Sequence, residues 1–151
     1  MFKINKKIAI LGLIILIFIF YMLIENKTSD KKINKTCFNN LCFNVEIADS
    51  EEERKKGLMF REFLDKDYGM LFILPNKGKY YFWMKNTSIP LDIIWIDDNI
   101  KVINIKENAL PCTTNNCEIF SSEKEALYVL EINGGLIKEY NIKVGDEVEF
   151  K

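Results

Sequence analysis

The side chains best placed to do chemistry gather in two stretches. One is Gly57-Leu58-Met59-Phe60-Arg61; the other is Phe82-Trp83-Met84-Lys85-Asn86-Thr87, running on to Pro90-Leu91-Asp92. Each sets single polar residues among apolar ones. That mixture suits a ligand pocket, in which a mostly apolar wall carries a few polar groups that fix orientation. On this pattern Arg61, Lys85, Asn86 and Asp92 are the expected polar contacts, with Trp83 and Met59 as the wall. Trp83 ends the run Tyr80-Tyr81-Phe82-Trp83, which as a strand presents aromatics on both faces. One face belongs to the core; the other is either covered or offers a stacking surface for a sugar or peptide.

Other chemistries are excluded by what the chain lacks. It has no His, so Ser-His-Asp and Cys-His catalysis and imidazole metal sites are absent. No Gly-rich phosphate loop follows a strand, which argues against nucleotide handling. Carboxylates, Lys, Arg and thiols remain. Asp92 and Glu131 sit among apolar strand residues, where burial raises a carboxyl pKa. Facing each other across a cleft, they would be the acid/base pair of a hydrolase or lyase. The plainer account places each on a solvent face or against Arg61 or Lys85, and no catalytic residue is assigned. Met59, Met70 and Met84 have the soft donors that Cu(I) takes. Each lies in an apolar run where Met is ordinary core filler, so neither metal nor other cofactor is expected.

Short aromatic and β-branched runs separated by turn residues position these groups. Strands are expected over Leu41 to Ala48, Met70 to Leu74, Lys79 to Met84, Leu91 to Ile96, Ile100 to Ile105, Ala126 to Asn133 and Asp146 to Phe150. Ile33 to Cys37 pairs back on the first of these through Phe38 to Leu41, with Cys37 facing Cys42. Asp97-Asp98-Asn99 is a tight hairpin connection. Ser50 and Glu53 form a capping box for a short helix that Gly57 stops, and a second short helix is expected near Gly135 to Tyr140. The fold class that follows is mainly β: a compact antiparallel β-sandwich or barrel with one or two short helices and no alternating βαβ units.

Ahead of this domain lies an apolar run, Ile8 to Ile24, of 17 residues without a charge. Its length is at the lower edge for a spanning helix, no small-x-small cleavage site follows, and it has no polar face. It reads as a retained signal anchor. Lysines flank it on both sides, so charge alone leaves the orientation nearly tied. Cys37/Cys42 and Cys112/Cys117 break the tie: four cysteines in two C-x4-C pairs, all beyond the anchor, suit disulfides in an exported domain. Local pairing is preferred among the three connectivities. The rival is a four-thiolate zinc site in a cytosolic domain. The expected organisation is a cytoplasmic basic N-terminus over 1–7, a transmembrane anchor over 8–24, a polar basic linker over 25–36, and one extracytoplasmic β domain over 37–151. Seven Lys and two acids precede Cys37, whereas 14 basic residues meet 20 acidic ones from there on. So acidic a head argues against a nucleic-acid partner.

The same motifs carry a family resemblance. Glu52-Glu53-Arg54 leading into Gly57-Leu58-Met59-Phe60-Arg61, Gly69-Met70-Leu71-Phe72, and Phe82 to Thr87 with Ile89-Pro90-Leu91-Asp92 resemble the family called domain of unknown function 192. So do Pro111-Cys112-Thr113 with Cys117, and Tyr128 to Gly135 ahead of Val144-Gly145-Asp146. The likeness covers nearly all of Leu41 to Phe150. It implies a compact, mainly β domain, often preceded by a signal or anchor, and no established activity. The chain departs in having Glu118-Ile119 where the family's loop often has Pro after the second Cys, and in the added pair Cys37/Cys42.

The expected function is that of a membrane-anchored extracytoplasmic module binding a small ligand or polymer, whether sugar, peptide or another small molecule. The alternatives are an enzyme using Asp92 and Glu131, and a structural module that contacts another envelope protein.

Overall fold

Two patterns of burial run along the strands and between them dictate the architecture. Leu91–Ile96 is buried at every position, the signature of a strand covered on both faces, whereas Leu41–Ala48 is buried only in part. The computed structural model describes residues 33–114 and 116–151, together with Gly12, Ile15 and Phe18. Apart from those three residues, the anchor expected over 8–24 lies outside the described residues, as do the basic segment over 1–7 and most of the linker over 25–36. Among those described, no helix is long and apolar enough to cross a membrane.

The elements are β1 (Lys35–Phe38), β2 (Leu41–Ala48), α1 (Glu51–Lys56), β3 (Tyr68–Gly78), β4 (Tyr81–Trp83), β5 (Leu91–Ile96), β6 (Val102–Ala109), β7 (Ile119–Ser121), β8 (Ala126–Asn133), α2 (Leu136–Tyr140) and β9 (Val148–Phe150). Seven strands form one sheet in the order β6-β5-β8-β3-β2-β1-β9, and β4 pairs with β7 in a separate ribbon. The domain is mainly β with two short helices.

Three features differ from the expectation. The large sheet is mixed, because β2 and β3 run parallel. A parallel pair needs a crossover connection, which α1 and the loop after it supply, so one βαβ unit is present. The long segment from Asn108 to Glu125 contains a strand, β7, whose three residues were too few to read as a run. And β1, the strand of the hairpin expected from Ile33 to Cys37, begins at Lys35 and so takes in the last two residues of the stretch drawn as linker, with Thr36 fully buried.

The sheet curls halfway to a barrel. Its two edge strands approach at one corner, where Lys101 bridges Glu147, the Val148 N–H donates to the Ile100 carbonyl and the Val102 N–H to that of Asp146. Val102 near one edge and Val148 at the other join Phe38, Phe43, Ile94 and Leu130 in a single cluster, so this face is the concave one. The opposite face carries a second core of Met70, Phe72, Leu91, Ile93, Trp95 and Val129. Phe82 and Phe120, cross-strand partners in the ribbon, pack onto it, as do Leu58 and Leu64 from the chain after α1. Strands between two cores need apolar residues on both faces, which is why β5 does not alternate.

Local signals hold the helices in place. The Glu53 N–H donates to the Ser50 hydroxyl at 3.2 Å and the Ser50 N–H to the Glu53 carboxylate at 3.0 Å, completing the capping box. Gly57 ends α1 at φ 47°, where a side chain would be strained. Cys37 is the register partner of Cys42 and is bonded to it; Cys112 is bonded to Cys117.

Candidate functional site

Glu131 stands on the face of β8 opposite to that of Leu130 and Ile132, between Met70 of β3 and Ile93 of β5 in the register. The residue is only 5% exposed, and among the described residues no hydrogen bond or charge acts on the carboxyl. Burial without a partner penalises the charged form and pushes its pKa from 4.5 up to about 8. Over it opens a cavity of about 580 Å³. Leu58, Met59, Phe72, Leu74, Phe82 and Trp83 make its apolar walls, with Tyr80 and Tyr81 beside them. The mouth is edged by Glu51, Arg54, Lys55 and Lys56, and Thr87 also lines it.

Each wall has a reason to stand where it does. Phe72 meets Phe82 edge to face at 5.1 Å, and Phe82 meets Trp95 at 6.1 Å, which locks the β4 ribbon against the convex core. The Phe60 N–H donates to the Asn86 carbonyl at 2.7 Å, and the Asn86 N–H donates to Cys112 at 2.8 Å. The two motif stretches are thereby laced together and to the disulfide loop. Tyr80 donates its hydroxyl to the Asn76 carbonyl at 2.8 Å.

The sequence-based candidates divide. Met59 and Trp83 do line the cavity. Lys85 does not line it; its ammonium stands 5.3 Å from the Trp83 ring centre. Arg61 instead makes a two-pronged ion pair with Glu46, and this hydrogen bond raises its pKa. Asn86 contributes backbone groups to the lacing just described. None of Arg61, Lys85 and Asn86 is among the residues lining the cavity.

Asp92 belongs to the fold rather than to the cavity. It is fully buried, and its carboxylate accepts from the backbone N–H groups of Asn108 at 2.7 Å, Gly135 at 3.0 Å and Ile137 at 2.7 Å. Two of these donors belong to the start of α2, which has no side-chain cap of its own, so Asp92 from β5 takes that role. The pair Gly134-Gly135 follows from this arrangement. A Cβ on Gly134 would stand 2.7 Å from the Asn108 side chain and 3.1 Å from Pro90, and Gly135 adopts φ 91°.

The structure overturns the paired-carboxylate enzyme. Asp92 registers with Ile132 and Ile93 with Glu131, so adjacent strand positions send the two carboxyls to opposite faces of the sheet. They cannot act on one substrate together. The residues that sequence reasoning passed over are Arg54 and Lys56, assigned to the helix end, and Tyr80, Phe72 and Leu58, hidden in apolar runs. Only the aromatic run at 80–83 carried a signal that could have found them.

Residues 33–150 match the DUF192 family, described as "Uncharacterized ACR, COG1430". The chain belongs to this family. Among its relatives, a UPF0127 protein of Pyrococcus abyssi is 30% identical over 112 residues, covering 70% of this chain and 85% of the relative. A UPF0127 protein of Thermococcus gammatolerans is 28% identical, and the match takes in 65% of that relative, slightly under two thirds of its length. A crystal structure of a protein of unknown function from Novosphingobium aromaticivorans superposes with a TM-score of 0.71 at 38% identity, covering 82% of this chain and 89% of the other.

Proposed function

We propose that this member of the DUF192 family is a small-ligand-binding module, held on the outer side of a membrane by the apolar segment 8–24. One observation carries the binding reading: a cavity with aromatic walls lined by a largely buried carboxyl that no described residue hydrogen-bonds or pairs. Buried polar groups are nearly always hydrogen-bonded, and one left open at the floor of a cavity is a group kept for a ligand. The polar contacts are Glu131, Thr87 and the cationic mouth, in place of Arg61, Lys85, Asn86 and Asp92.

Fragment screening of the full-length chain by nuclear magnetic resonance tests this. Shifts should cluster on the Met59 methyl, the Trp83 indole and the Glu131 amide; fragments that shift only scattered surface signals refute the assignment. The compartment rests on the uncharged 17-residue run and on two disulfides, which persist outside reducing compartments. Alkaline phosphatase fused after Lys151 should be active in cells, and an inactive but intact fusion places the domain inside.

A further inference from the structure

The empty floor and the charged mouth together specify a ligand chemistry. Among the described residues Glu131 lacks a partner, and the side chains of its register neighbours Met70 and Ile93 supply neither a donor nor a charge. The rings of Phe72, Tyr80, Phe82 and Trp83, the last also approached by the Lys85 ammonium, share the same cavity, and ring faces attract soft cations. A polyol fits poorly, because its several hydroxyls would meet few polar side chains (Glu131, Thr87 and the hydroxyls of Tyr80 and Tyr81) among mostly apolar walls, and each unmet group is costly. At the mouth Lys55 is paired to Glu51 at 2.6 Å. Arg54 hydrogen-bonds the backbone carbonyls of Asp49 and Ile73, and among the described residues neither it nor Lys56 has a carboxylate partner. Two unbalanced cations at the entrance favour an anion there.

We propose that the cavity takes a choline-type phosphodiester, its ammonium between the aromatic walls and the Glu131 carboxylate, its phosphate outside at Arg54 and Lys56. This rests on the ligand-binding reading above and adds the substrate class. Two sources share this chemistry, a free glycerophosphodiester and the headgroup of a membrane lipid. Binding displaces the proton that Glu131 holds when the cavity is empty. Glu51, Arg54, Lys55, Lys56, Tyr80 and Tyr81 are the other titratable groups lining the cavity, and no His is present to add a change near neutrality.

The test is calorimetric titration of the full-length chain in a maltoside detergent with glycerophosphocholine, whose charges are constant between pH 6 and 9. A carbon isostere with tert-butyl in place of trimethylammonium serves as the comparison. At pH 8 glycerophosphocholine should bind, with the isostere and the Glu131→Gln variant each weaker by at least about tenfold. Wild-type affinity should rise roughly fiftyfold from pH 6 to pH 8 and that of the variant should stay level. Equal binding of the isostere, or an undiminished variant, overturns the ammonium assignment and leaves a ligand-binding cavity standing. No binding of either compound, with fragments still shifting the cavity signals, removes this ligand class alone; with no cavity shifts, both readings fall. The source is read in phosphatidylglycerol vesicles. Added phosphatidylcholine should compete with the soluble probe if the headgroup is the occupant, and leaves its affinity unchanged if the free diester is.

Discussion

Replacing Glu131 with Gln should flatten the stability of this domain between pH 5 and pH 8. The folded carboxyl keeps its proton up to about 8, whereas the unfolded one releases it near 4.5. In that interval the folded state binds more protons, so wild-type stability falls as pH rises, and the loss is complete above the folded pKa. Integrating between pH 5 and pH 8 gives a loss of about 3–4 kcal/mol. No other group with a shifted pKa among the described residues confuses this window. Glu51, Glu53 and Asp98 are held down by hydrogen bonds with Lys55, Ser50 and Lys77, so their contributions disappear only in acid. Arg61, Lys66 and Lys77 are raised by hydrogen bonds to Glu46, Glu139 and Asp98, and change only in alkali. The chain has no His, and no described cysteine is free. The assay is urea unfolding at half-unit pH intervals, wild type against variant. Parallel curves for the two proteins, or a level wild-type curve, would refute the claim that Glu131 is buried without a partner.

Asp92→Asn should be far more damaging than its single-atom change suggests, because three backbone donors lose their charged acceptor. A drop of about 2–4 kcal/mol in urea stability is expected, and a change below about 1 kcal/mol would deny Asp92 its role at the start of α2. Gly69→Ala places a Cβ 2.6 Å from the Glu131 carbonyl oxygen and 2.9 Å from the Ile132 side chain, so β3 must move off β8. Its cost should reach roughly 2 kcal/mol or more, measured as a lower thermal midpoint. The Arg61–Glu46 pair, with side chains 33% and 44% exposed, should show a coupling of only about 0.5–1 kcal/mol in a double-mutant cycle, weakened by salt. Opening the Cys112–Cys117 ring with a double Ser substitution should cost on the order of 2 kcal/mol, read in the same unfolding assay.

The sequence by itself determined what depends on neighbours along the chain. The Ser50/Glu53 capping box and the Gly57 stop declared α1, the Asp97 to Asn99 turn declared the β5–β6 hairpin, and β-rich runs placed most strands. Period and capping act over a few residues, so they are legible locally. The tertiary structure alone decided which polar groups meet. Asp92 and Glu131 look equivalent in sequence, each a carboxylate within an apolar strand. Register sends one to the concave face, where it caps α2, and the other to the convex face, beneath the cavity. A strand's neighbours and their alignment are set by contacts distant in sequence, and a shift of one residue would exchange the two faces. The parallel pairing of β2 with β3, the ribbon folded over the second core and the cations gathered at the cavity mouth are of the same kind. Each arises from packing between segments that the linear order keeps apart.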